Sequence, residues 1–215
     1  MKLGVVTLTT LGLVGLSATA LAQTPRARTG FQMDIRTGYS VPFGSAFNGM
    51  KLSDTSSGQV PILVDIGAKV IPQLFVGGYT GFAIGGAGGD FEAGCNASNA
   101  DCLTLRFHLG VEAQYHILPA GRVNPWLGYG LGFESFGQSR TVGGVSTTRT
   151  LSGFEFARFM GGVDFRVHRV FGVGPFVDLS MASFSRVSNG SSSTSITDRA
   201  THEWLTIGAR FVFFP

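Results

Sequence analysis

From Phe31 onward the chain alternates. Eight segments place apolar and polar residues in turn with period two, the pattern of β-strands that press one face against an apolar medium. The clearest is 103–117, where Leu103, Leu105, Phe107, Leu109, Val111, Ala113 and Tyr115 alternate with Thr104, Arg106, His108, Glu112, Gln114 and His116. The others are 31–40, 62–70, 74–84, 126–135, a segment through Phe159, Val163, Phe165 and Val167, then 174–184, and the final strand at 204–213. In 74–84 the residues Phe75, Val76, Tyr79 and Phe82 break the alternation and leave the facing open. Phe154-Glu155-Phe156 falls out of register with the rest of its strand, as a bulge would cause. Beyond the N-terminus no segment approaches the ~20 apolar residues of a spanning helix. Lipid satisfies no free backbone N–H or C=O, so an apolar chain of this kind crosses a bilayer only as a closed barrel. The expected fold is all-β: an eight-stranded antiparallel up-and-down transmembrane β-barrel.

The N-terminus reads as an export signal. Lys2 supplies a positive charge, Leu3 to Leu16 an apolar core, and Ala20-Leu21-Ala22 a small-x-small cleavage site. The organisation expected is a cleaved peptide at 1–22, a short periplasmic segment at 23–30 and the barrel at 31–215. Without Lys2 the chain has 15 basic and 13 acidic residues, a balance too even and too dispersed for nucleic acid. Cys95 and Cys102, the only cysteines, lie seven positions apart. An even count in an exported chain points to a disulfide.

Connections alternate in length. Links at 41–61, 85–102, 136–150 and 185–201 are long, whereas 71–73, 118–125 and 169–173 are short. Outer-membrane barrels have this asymmetry, with short periplasmic turns and long external loops.

The polar face carries Asp34, Asp65, Glu112, Glu134, Asp164 and Asp178 against Arg36, Lys69, Arg106, Arg158, Arg166 and Arg210. Glu155 alone falls on the apolar side. Gly38, Gly67, Gly110, Gly128, Gly130, Gly132, Gly162, Gly174 and Gly208 also lie on the polar face, where they make room for large neighbours in a narrow cylinder. This face is therefore read as the lumen. A buried unpaired charge costs several kcal/mol, so six acids and six bases are expected to pair and fill it. Arg106 and Glu112 are expected to find partners among Asp65, Lys69 and Glu134.

Strand count, loop asymmetry, export signal and last strand together resemble the small OmpA/OmpX-type outer-membrane barrels across 31–214. The order Thr206-x-Gly208-x-x-Phe211-x-Phe213 resembles the C-terminal assembly signal of that family, here followed by Phe214-Pro215. The resemblance implies residence in the cell outer membrane as a monomeric barrel. It also implies partners in outer-membrane lipid and lipopolysaccharide, the barrel-insertion machinery and periplasmic chaperones.

Three functions are compatible with this reading. The first is a structural or surface-interaction protein with a largely plugged lumen, acting through its external loops. The second is a narrow channel for small or hydrophobic solutes, similar to the OmpW family. The third is a lipid-modifying enzyme. A Ser–His–Glu set could be drawn from His202, Glu203 and the serines at 185, 188 and 191–193, but Ser-rich loops are usually just solvated. No catalysis and no cofactor or metal are expected, because no motif calls for them. Arg140, Arg149, Arg186 and Arg199 make two external loops basic, suited to lipopolysaccharide phosphates.

Overall fold

A computed structural model describes residues 29–47 and 49–214; the expected leader at 1–22 and residues 23–28 lie outside the described residues. Eight long strands form: β1 (Gly30–Phe47), β2 (Gly58–Ile71), β3 (Leu74–Gly86), β4 (Asp101–His116), β5 (Val123–Val142), β6 (Val145–His168), β7 (Phe171–Asn189) and β8 (His202–Phe213). Each pairs antiparallel with the next, and β8 pairs with both β7 and β1, closing the ring. The closing seam sets Arg36 opposite Arg210 and Gly38 opposite Gly208.

Outward residues identify the solvent. Tyr39, Ile66, Phe82, Leu109, Leu127, Phe159, Val177 and Ile207, one from each strand, are 46–63% exposed. A continuous apolar band of this extent around a closed sheet is stable only in contact with lipid. The eight strands are transmembrane.

The loop end differs from a set of open loops. Residues 136–150 are not a long loop: β5 and β6 continue as strand to a two-residue turn, Gly143-Gly144, with φ of +57° and +82°. Both central residues of such a hairpin turn need positive φ, which glycine adopts without steric cost. β1 and β7 also run past their expected ends, and a short strand, Ser192–Ser195, adds to β7. One wall of the barrel thus rises well above the rest. Between β3 and β4 lies α1 (Gly89–Ala97), with Asp90 and Glu92 in its first turn, where the helix dipole favours acids. A disulfide joins Cys95 of α1 to Cys102 of β4, with Cα atoms 6.2 Å apart. Maleimide should fail to label the unreduced folded protein and should take two labels after reduction. Labelling of the untreated native protein would show that the thiols are free.

β3 has regular alternation after all. Phe75, Tyr79 and Ala83 point inward and are buried, while Val76, Phe82 and Ile84 point outward. Phe75 and Tyr79 go inside because glycines on other strands leave space. A Cβ at Gly110 or Gly132 would lie 2.5 or 2.7 Å from Tyr79, closer than any side chain permits.

Glu155 is on the other face from that read in the sequence. A register shift between Glu155 and Ala157 puts both Ala157 and Arg158 inside, so the parity of β6 changes there. Phe154 and Phe156 meet lipid, and Glu155 lies fully buried in the lumen. The bulge adds one residue to β6, and every side chain beyond it changes face.

Candidate functional site: the charged lumen

The interior is built in layers. At the loop end Ala46, Leu52, Phe136, Leu151, Phe184, Ile196 and Trp204 form an apolar cap, with Leu52 supplied by the short 3-10 turn that folds over the mouth. Below it the cross-section is charged. Eight strands enclose an interior just wide enough to be filled by side chains.

Arg36 is the hub. Both Asp65 carboxylate oxygens lie 2.7 Å from its guanidinium nitrogens, and Asp178 accepts from it at 2.9 Å. Glu112 lies 3.4 Å away and Asp34 3.8 Å. Four carboxylates from β1, β2, β4 and β7 therefore surround one cation that water does not reach. A planar five-donor fork can serve several carboxylates at once, which a lysine could not do in this geometry.

Two further arginines extend the network. Arg158 donates to Asp178 at 2.7–2.8 Å and approaches Glu155 at 3.7 Å, with its plane over Tyr79. Nearer the turn end Arg210 donates to Asp34 and to Gln114, both at 2.6 Å, and to Asp164 at 3.5 Å. It lies 4.1 Å from the centre of the Trp126 ring. Asp178 thus bridges Arg36 and Arg158, and Asp34 bridges Arg36 and Arg210.

Three bases of the expected network stand apart from it. Arg106 has no carboxylate within 4.0 Å among the described residues; it stacks 4.0 Å over Trp204 and donates to Ser40 at 3.2 Å. Of its expected partners, Asp65 is drawn down to Arg36 and Glu134 is taken by His202 and Trp204; Glu112, expected beside Lys69, also lies near Arg36 instead. Lys69 likewise has no carboxylate within that distance among the described residues, and lies 5.5 Å from the centre of the Phe214 ring. Arg166, half-buried, donates to the backbone carbonyls of Pro119 and Arg169.

The histidines 108, 116 and 202 also face inward. His116 contacts Asn124 at 2.7 Å, and His108 contacts Glu155 at 2.8 Å. His202 lies 3.3 Å from Glu134 and stacks on Phe184. It is buried within the cap, between Phe184 and Trp204, so the Ser–His–Glu set sketched from the sequence is not assembled. Of the assembly-signal residues, Phe211 and Phe213 face lipid, whereas Thr206 and Gly208 face the lumen.

An eight-stranded barrel with an apolar exterior, a filled polar interior, short turns at one end and longer connections at the other is a small outer-membrane β-barrel. The described chain begins and ends at the turn end. Among solved structures, the chain is similar to a major outer membrane protein of Thermus thermophilus, at 15% identity and a TM-score of 0.53, over 86% of this chain and 98% of that one. It is also similar to Neisserial surface protein A, at 15% identity and a TM-score of 0.48, over 85% of this chain and 97% of that one. A third is Ail, the attachment invasion locus protein of Yersinia pestis, at 15% identity and a TM-score of 0.47, over 85% of this chain and 98% of that one. No protein-family model matches the chain, and no curated protein matches it significantly.

Proposed function

We propose that this protein is a plugged barrel, an outer-membrane scaffold that acts through its loop end and does not conduct through its lumen. The supporting observation is the Arg36 hub. Its guanidinium and the carboxylates of Asp65, Glu112 and Asp178 span the interior from opposite walls, buried and in mutual contact. A continuous water path would need these pairs broken, and removing one partner of a buried pair costs about 3–5 kcal/mol. A selective pore would instead line its path with an excess of one sign.

The raised β5–β6 wall then becomes the working surface. Between it and Phe91 of α1 runs a groove of about 420 Å³, lined by Gln138, Arg140, Val142, Val145, Thr147 and Arg149. Two arginines beside two valines suit an amphipathic anion such as the phosphorylated head of lipopolysaccharide, each phosphate taking a charge-assisted hydrogen bond.

In planar bilayers the refolded protein should give no steady conductance. A large, stable, ion-selective conductance from the unmutated chain would overturn the plugged reading and favour the narrow channel.

A further inference from the structure

Lipid meets an uneven wall near the turn end. Two apolar grooves lie side by side there on the outer face, of about 530 and 290 Å³, with Leu127 as the ridge between them. We propose that these grooves and the arginines of the adjoining turns form a site for one anionic diacyl phospholipid. One acyl chain lies on each side of Leu127, and the phosphate lies at Arg122 and Arg169. The site is at the opposite end of the barrel from the loop-end groove, and it does not depend on whether the lumen conducts.

The larger groove exists because the lipid face of β6 lacks a side chain. Gly161 lies between Leu127 of β5 and Val177 of β7, and a Cβ there would point outward, 3.1 Å from Leu127. Two residues on, Val163 stands opposite Pro125, and the pairing of β6 with β7 is interrupted at Pro175. Proline has no N–H to give to a neighbouring strand, so the wall is less tightly bonded there. Trp126 and Phe176, inward residues of the lumen, form the groove floor beside Gly161 and Gly162. Beyond Leu127 the smaller groove runs between Ala113, Tyr115 and Tyr129. Exposed tyrosines at this height suit the boundary between acyl chains and headgroups.

The charges at this end select the headgroup. The β4–β5 turn carries Arg122 and the β6–β7 turn carries Arg169, both exposed. The backbone N–H of Arg166 donates to the carbonyl of Arg122 at 2.8 Å and holds the first turn against β6. Arg122 is three residues from Pro125, which sets it about 10 Å along the strand from the groove. Asp34 and Asp164 are the acids of this end, and both are buried, so among the described residues no exposed carboxylate competes for the arginines. Arg166 is not a third contact, because it donates to the carbonyls of Pro119 and Arg169. A phosphodiester takes a charge-assisted hydrogen bond from each exposed arginine, while its chains cover the apolar grooves. Acyl burial and basic residues together hold a lipid more firmly than either alone.

The test is native mass spectrometry of the refolded barrel in neutral detergent, with equal phosphatidylglycerol and phosphatidylcholine of matched chains. One phosphatidylglycerol per barrel should be retained and preferred about 30-fold, since each basic residue near an anionic headgroup is worth about fivefold and two are engaged. Arg122→Ala with Arg169→Ala should erase that preference. Gly161→Leu, and separately Val177→Trp, fill the larger groove from its lipid side and should weaken retention of both lipids alike. A second readout needs no variant to fold: phosphatidylglycerol brominated along its chains should quench Trp126, on the groove floor, more than brominated phosphatidylcholine at equal content. Equal retention of the two lipids, a preference unchanged in the folded double Arg variant, retention unaffected by filling the groove, or equal quenching would each overturn the site and assign the grooves to bulk lipid. Paired barrels that Gly161→Leu separates would overturn it in favour of a second copy. The plugged-barrel reading, which conductance tests, stands or falls separately.

Discussion

Arg36→Ala should leave little folded barrel. The substitution strips a common partner from Asp65, Glu112 and Asp178 and leaves their charges buried among one another. Breaking one buried pair costs about 3–5 kcal/mol, a large part of the roughly 5–15 kcal/mol that stabilises a typical domain, and here three close contacts are lost together. The measurement is the fraction that resists detergent unfolding before boiling, followed by the urea midpoint of whatever folds. Arg36→Met with Asp65→Asn should recover part of the loss, because fewer unpaired charges remain. Arg106→Ala supplies the contrast. It removes a stacked cation and one hydrogen bond but strands no acid within 4.0 Å among the described residues, so its effect should be clearly smaller. Equal stability of Arg36→Ala and wild type would mean that the hub does not hold the strands together.

The second large effect is on the exterior. Phe211 and Phe213 sit on the lipid face of β8 close to the turn end, and Phe213 packs against Phe171 with ring centres 5.4 Å apart. Replacing both with Asp puts two charges against lipid. A base at the bilayer midplane costs ~2–4 kcal/mol, and an acid near the interface costs less. The pair also removes the two aromatics of the expected assembly signal, so yield in the membrane should fall sharply. Thr206→Ser should be tolerated, because Ser keeps the hydroxyl that meets Ser40 at 2.7 Å. Normal assembly of the double Asp variant would show that this face is not against lipid.

Much of the barrel is legible in the sequence because period two is a local property. Whether Leu105 and Arg106 point to opposite sides depends only on the pleat, and lipid on one side makes the difference in polarity large. The same locality hides the rest. Strand ends at 136–150 read as loop because Gly, Ser and Thr dominate there, yet pairing with a neighbour extends the strands past the lipid. Glu155 reads onto the wrong face because a bulge is a disagreement between two strands, and one strand alone does not reveal it. The facing of β3 depends on whether Tyr79 can lie over Gly110 and Gly132, which belong to other strands. The pairing of His108 with Glu155 has no sequence spacing to detect, since the two come from different strands.

By itself, the order of residues determined that the chain is a lipid-facing barrel and, Glu155 apart, which charged side chains turn inward. Those outcomes follow from alternation and from the cost of an unpaired backbone in a bilayer, and neither needs a partner to be named. Only the tertiary structure decided who pairs with whom inside. Arg36 rather than Arg106 became the hub because stagger around the ring brings Asp65, Glu112 and Asp178 to one level. The physical reason is that charges in a low-dielectric interior are ruled by distances of a few ångströms, which are set jointly by eight strands and encoded in no one of them.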